Sequence, residues 1–227
     1  MIWICGDTHG LQDIYKVQDF FEEIIVNTHV TKEDYLIILG DVAVSWDDGI
    51  HDERVREILH SLPCTVLWLD GNHENFDLLD ELPITMWHGG KVQYITSDII
   101  HLMRGQCYLI NGKRIFVFGG ANSVDQIYRI HGVDWWEKEM PASAEYEEGI
   151  MNLQNYEYKV DYILTHTCPR DIALRMTNDL RTGEEELQNY LQKIKEKTSF
   201  THWYFGHWHQ DIKIENITGV WYEIYQL

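Results

Sequence analysis

The chain opens Met1-Ile2-Trp3-Ile4-Cys5-Gly6-Asp7-Thr8-His9-Gly10. An unbroken apolar run followed by a glycine, a carboxylate and an imidazole reads as a strand buried on both faces that ends in a polar loop. The same punctuation recurs down the chain. Residues 36–39 lead to Gly40-Asp41, 66–69 to Gly71-Asn72-His73-Glu74, 162–164 to Thr165-His166-Thr167, and 203–205 to Gly206-His207-Trp208-His209. In an α/β sheet the carboxyl ends of parallel strands line one edge, and ligands bind there. Residues far apart in sequence therefore converge on one site.

Outward from these strands, apolar spacing predicts helices over 11–27 and 52–62, the second stopped by Pro63. The alternation of strand and helix through residue 70 predicts βαβ units and a largely parallel sheet in this half. Residues 99–103, 106–110 and 114–118 are short β-rich runs, and Asn111-Gly112 marks a hairpin, so these three are expected to be antiparallel. Helices are expected over 144–159 and 183–197 around a strand at 161–164. Strands at 203–205, 212–215 and 220–224 close the pattern. The fold class is α/β. With 227 residues, no repeat and no low-complexity linker, one domain spanning 1–227 is expected, with 119–145 as an insertion facing the substrate.

Acidic residues outnumber basic ones 37 to 18, a formal charge of −19. That field repels a long polyanion, so extended nucleic acid is not an expected partner unless bound cations reverse the field locally. Cys5, Cys64, Cys107 and Cys168 are scattered, form no Cys-x-x-Cys pair and read as reduced core residues. No apolar run approaches the ~20 residues that span a bilayer, and no charged start leads into an apolar leader. The expectation is a cytoplasmic protein without a membrane partner.

Asp, Asn and His without Cys are hard to borderline ligands, suited to manganese, iron or zinc. Asp7, His9, Asp41, Asn72, His166, His207 and His209 outnumber what one four-coordinate ion uses, so the count favours two ions sharing a carboxylate. Any one of these histidines alone reads as a hydrogen-bonded structural residue, and Asp7 or Asp41 alone as a helix cap. A cap, however, does not call for the histidines. His29, His51, His60, His88, His101, His131 and His202 fit no block and read as surface or core residues.

Taken in order, Asp7-x-His9, Gly40-Asp41, Gly71-Asn72-His73-Glu74, His166 and Gly206-His207-x-His209 resemble the calcineurin-like metallophosphoesterase superfamily, from residue 6 to residue 209. The resemblance implies a two-layer sandwich of mixed β-sheets flanked by α-helices. It implies that Asp7, His9 and His209 hold one divalent metal and Asn72, His166 and His207 the other. Asp41 would bridge both, with manganese the ion expected to serve in vitro. It further implies hydrolysis of phosphate esters, mono- or diesters, by hydroxide held between the metals. Asp41 and His73 are then the catalytic residues, His73 protonating the leaving oxygen and Glu74 orienting His73. The implied substrate is a phosphorylated small molecule or nucleotide. The chain departs from the protein-phosphatase branch, whose second block continues GDxVDRG. Here the block reads Gly40-Asp41-Val42-Ala43-Val44-Ser45-Trp46, with Val44 in place of the acidic partner of the histidine and without the arginine. That departure argues against a phosphoserine or phosphothreonine phosphatase.

Gly119-Gly120-Ala121-Asn122-Ser123-Val124-Asp125 and Trp135-Trp136-Glu137-Lys138-Glu139 resemble wording in small bacterial members of the superfamily. Asn122, Ser123 and Arg129 are expected to approach substrate, Arg129 as a phosphate clamp. Trp135 and Trp136 read as packing this loop onto the core. Two other readings stand beside the phosphatase: a nuclease or cyclic-nucleotide phosphodiesterase, and a non-catalytic scaffold of the same fold. Retention of all seven ligand positions and His73 speaks against the scaffold.

Overall fold

A computed structural model describes residues 1–177 and 183–227. The first half runs β1 (Ile2–Cys5), α1 (Tyr15–Ile24), β2 (Tyr35–Ile38), α2 (Ile50–Ser61), β3 (Thr65–Trp68), α3 (Phe76–Asp80), β4 (Ile84–Trp87), β5 (Gly90–Thr96) and β6 (Ile99–Leu102). The second runs β7 (Gln106–Ile110), β8 (Lys113–Phe118), α4 (Ser143–Asn155), β9 (Tyr162–Thr165), α5 (Arg170–Thr177), α6 (Glu185–Lys197), β10 (His202–Phe205), β11 (Ile212–Ile214), β12 (Ile217–Gly219) and β13 (Tyr225–Gln226).

Two mixed sheets result, ordered β13-β1-β2-β3-β6-β5-β4 and β11-β12-β10-β9-β8-β7. In the first, β1, β2, β3 and β6 are parallel; in the second, β8, β9, β10 and β12 are. The period of two in a strand sorts each apolar run between two cores. Ile2, Ile4, Ile37, Leu39, Leu67 and Leu69 join Tyr108, Ile115, Val117 and Leu164 in the core between the sheets. Trp3, Cys5, Leu36, Ile38, Val66 and Trp68 instead meet Val17 and Phe21 of α1 and Val55 and Leu59 of α2. On the far side, Phe116, Phe118, Ile163, Trp203 and Phe205 pack on Leu187, Leu191 and Ile194 of α6. The architecture is the expected sandwich of mixed sheets flanked by helices. Each fully buried side chain of this size contributes about 1.5–3 kcal/mol.

Several boundaries differ from the sequence expectation. α1 starts at Tyr15, because residues 11–14 turn behind the first loop, with Asp13 N donating to Thr8 O (2.9 Å). Of the three runs expected to pair antiparallel, only β7 and β8 form that hairpin. β6 pairs parallel with β3 and antiparallel with β5, so the chain changes sheets at Arg104-Gly105, where Gly105 takes φ +72°. α4 stops at Asn155, followed by left-handed Glu157 and Tyr158. Residues 220–224 are not the expected strand. The Asp211 carboxylate accepts the backbone N–H groups of Trp221, Tyr222 and Glu223, and pairing with β1 begins only at Tyr225. β4 and β5, joined by a tight His88-Gly89 turn, lack the apolar run of the central strands and left no sequence signal. All four cysteines are buried free thiols. Among the described residues no helix is long and apolar enough to cross a membrane.

Candidate metal centre

The carboxyl ends of β1, β2, β3, β9 and β10 meet at one edge of the sandwich. The β1 and β2 loops are stitched together by His9 N to Asp41 O (2.7 Å) and Gly10 N to Val42 O (3.1 Å). Across the sheets, His207 N donates to both Asp7 carboxylate oxygens (3.1 and 3.0 Å). This packing leaves no room for side chains at two glycines. A Cβ on Gly71 would collide with the Asp41 carboxylate, and one on Gly206 with that of Asp7. The tight loops also force His9, Asp41, His207 and His209 into the left-handed region, at φ 45°, 51°, 64° and 48°. Such backbone is sparsely populated by non-glycine residues and collects at functional sites.

Two sets of ligand atoms gather here, each within 4.8 Å: Asp7, His9 and His209, and Asp41, His166 and His207. Asp41 touches both sets, with Oδ2 3.6 Å from His9 Nε2 and Oδ1 3.4 Å from His166 Nε2. Asn72 Oδ1 is 3.2 Å from His166 Nε2, and Asp7 Oδ2 is 3.2 Å from His209 Nε2.

Three histidines each turn one ring nitrogen outward to an oxygen. His9 Nδ1 faces Asp13 Oδ2 (3.1 Å), His166 Nδ1 faces Leu39 O (2.6 Å) and His207 Nε2 faces Glu184 Oε1 (3.2 Å). A carbonyl can only accept, so His166 carries its proton on Nδ1 and directs the Nε2 lone pair at the Asn72 and Asp41 oxygens. Acceptors facing acceptors in a buried space call for a cation between them, and an outward N–H bond is how proteins orient metal-ligating histidines. The donor set therefore fits divalent metal. When protonated instead, the same histidines can stand in for the cation toward the carboxylates. Burial works against charge on Asp7 and Asp41, yet the facing histidines outweigh it and hold Asp7 below, and Asp41 well below, the usual carboxylate range. His9 is pushed up to about 9, Asp41 overcoming the effect of burial.

His73 lies beside this set, its backbone N–H on Asp41 Oδ1 (2.8 Å) and its ring 6.2 Å from that of His9. Burial pushes its imidazole below the ordinary value, against the pull of Asp41. Glu74 does not orient His73. Its carboxylate accepts from Val42 N (2.8 Å) and Ala43 N (3.1 Å) and so clamps the Asp41 loop. Ser123 is buried, and its hydroxyl accepts from Asn72 Nδ2 (3.1 Å) while donating to Glu139 Oε2 (2.7 Å). Asn122 lines a cavity of about 240 Å³ together with Asp41, Asn72, His73 and His207. Arg129 reaches a second cavity of about 790 Å³, shared with His9, His73 and His209. Its guanidinium forks onto Asp125 (2.7 and 2.9 Å) and donates to Asp134 O (3.0 Å). Trp136 is buried as expected and donates to Asp77.

Sequence reasoning passed over Asp13, Glu184 and Lys16, whose Nζ donates to the carbonyls of Asp7 and Trp221 (2.6 Å each). Only Asp13, four residues after His9, carried a readable signal.

The calcineurin-like phosphoesterase family profile matches residues 1–211. The chain belongs to the calcineurin-like phosphoesterase family. The fold is similar to that of a Staphylococcus aureus protein described as a candidate 5′-nucleotidase in complex with alpha-ketoglutarate, with TM-score 0.53 and 12% identity. The match covers 96% of this chain and 48% of that one, so this chain spans about half the length of its structural relative. No curated protein sequence matches.

Proposed function

We propose that this chain is a metal-dependent phosphoesterase that works with two divalent ions, of the manganese, iron or zinc class, on small phosphorylated molecules or nucleotides. The observation that carries the reading is the division of Asp41, with one oxygen toward His9 and the other toward His166. Asp7, His9 and His209 would hold one ion, Asn72, His166 and His207 the other, and Asp41 both. Bound there, the ions supply Lewis-acid stabilisation of charge at phosphorus and make water acidic enough to attack near neutral pH.

The chain's own residues do the rest. His73 lines both cavities and gives a proton to the leaving oxygen, which its burial-lowered affinity for protons favours. Its placement follows from the Asp41 bond to its backbone. Arg129 clamps a phosphate oxygen in the larger cavity with the outer N–H groups of its guanidinium, while Asp125 and Asp134 hold the side chain in place. Asn122 borders the substrate, whereas Ser123 acts through Asn72, fixing which way the amide oxygen points. The 119–145 segment is the substrate-facing part of one 1–227 domain. A charge of −19 favours short substrates over extended nucleic acid.

The test is hydrolysis by metal-stripped protein reconstituted with manganese, comparing phenyl phosphate esters as mono- and diesters. His73→Ala should cut turnover by roughly a hundredfold or more, with metal content per chain unchanged by elemental analysis. Full activity after chelation overturns the reading.

A further inference from the structure

The larger cavity carries a feature the metal chemistry does not use. Two indoles line it, Trp46 and Trp221, beside His51 and within the same space as His9, His73 and His209. Both are only partly buried, although an indole is among the side chains that gain most by leaving water. Both are also held on fixed backbone. Trp46 donates its backbone N–H to Asp52 Oδ2 (2.8 Å), accepts at its carbonyl from Asn75 Nδ2 (2.8 Å) and meets buried Trp136 edge to face at 5.7 Å. Trp221 lies flat on His209, ring centroids 5.4 Å apart and planes 18° apart. Its amide is fixed by Asp211 (2.8 Å) and its carbonyl by Lys16 (2.6 Å). Trp221 falls outside the 1–211 segment that the family profile matches, whereas Trp46 lies within it.

Rigid aromatic walls beside a polar centre suit a ligand with a planar ring at one end and an anion at the other. A volume of about 790 Å³ is of the size that takes a small organic molecule. Asp13 and Asp47 on the same lining disfavour a ligand with several further negative charges. We propose that this cavity seats a planar aromatic leaving group, a nucleoside or a phenol, against Trp46 and Trp221 while its phosphate meets the metal centre. The inference rests on the phosphoesterase reading above and adds the class of alcohol released.

Two measurements test it. In the first, metal-stripped protein is titrated with adenosine, phenol and glycerol by saturation-transfer NMR. Adenosine or phenol should bind, glycerol should not, and Trp46→Ala should weaken binding about tenfold. In the second, kcat/KM of manganese-loaded protein is measured on adenosine monophosphate, phenyl phosphate and glycerol 2-phosphate, with metal content followed throughout. The aromatic-to-glycerol ratio should fall about tenfold in Trp46→Ala and in Trp221→Ala, and recover in Trp221→Phe. A loss confined to the nucleotide marks a nucleoside site; one confined to phenyl phosphate marks a phenol site. If Trp221→Ala loses metal through its contact with His209, Trp46→Ala decides. An unchanged ratio in Trp46→Ala, or no binding of either aromatic, overturns the proposal. If wild type hydrolyses none of the three, monoester hydrolysis is excluded, and the NMR titration alone decides the aromatic seat.

Discussion

Asp70 and Asn72, separated only by Gly71, belong to two different kinds of buried polar cluster. Asp70 is matched donor for acceptor. Arg104 Nε reaches its Oδ2 at 2.6 Å, His101 Nε2 faces its Oδ1 at 3.2 Å, and Arg104 also serves Glu145 and the carbonyls of Lys138 and Glu139. Burial opposes its charge, but Arg104 and His101 bring the carboxyl down to about 2. Two residues on, the Asn72 oxygen and Asp41 Oδ1 both face the Nε2 lone pair of His166, and a single backbone N–H, that of His73, is placed on Asp41 Oδ1. Both clusters are buried and both combine carboxylate with imidazole. What separates a brace from a site is whether the acceptors are already satisfied.

That contrast can be broken from either side. The largest effect should come from Asp41→Asn. Turnover should fall roughly a thousandfold, as when a key charge-stabilising group is lost. The melting temperature of the metal-free protein should fall only modestly, because the pull of the facing histidines on the carboxylate is lost while an amide oxygen can still accept from His73 N. Arg104→Met should do the reverse. It leaves Asp70 buried without its cation, which costs about 3–5 kcal/mol and lowers the melting temperature by roughly 10 °C. Activity per folded molecule should survive. If Arg104→Met were neutral in calorimetry, the matched cluster would not be a brace.

Glu184→Gln probes the boundary between the two kinds. The carboxylate faces His207 and accepts from Gln188 Nε2 (2.7 Å) and Asn122 N (3.3 Å), so it resembles the matched cluster while orienting a member of the open one. Metal affinity should drop by about 10- to 100-fold, read by competition with a chelating dye, with little change in melting temperature.

The smallest effect concerns Asp98, matched in the manner of Asp70 but near the surface. Burial works against its charge, yet Lys32, His60 and Thr96 hold the carboxyl down to about 2. A depressed folded value stabilises above the unfolded value near 3.9 and is lost as pH falls through 2. Asp98→Asn should therefore cost at most about 2 kcal/mol at pH 7, and the difference from wild type should shrink between pH 4 and 2 in urea melts.

The two clusters also differed in how far the sequence revealed them. The convergence of Asp7, His9, Asp41, Asn72, His166, His207 and His209 was legible because each follows a strand, and the carboxyl ends of parallel strands share one edge. His101 follows no strand-end glycine and so carries no such signal. Its partner Arg104 sits in the turn where the chain changes sheets, and a change of sheet leaves no periodic signal, which is also why β6 was assigned to the wrong hairpin. The central strands announced themselves as apolar runs; β4 and β5, at a sheet edge, did not. Glu184 was invisible because a single carboxylate opening a helix looks like any first-turn acid. Glu74 was misplaced for a related reason: adjacency to His73 suggested a contact, but the side chain turns back onto Val42 and Ala43.

The bond from His207 N to the Asp7 carboxylate joins residues 200 positions apart. Its consequence lies in time. At about 5–20 residues per second of synthesis, Asp7 leaves the ribosome roughly 10–40 s before its partner exists. In that interval the first loop, with Asp41 soon beside it, is an acidic pair without His166, His207 or His209. The cluster of carboxylates and imidazoles is completed only when the second sheet closes over the first.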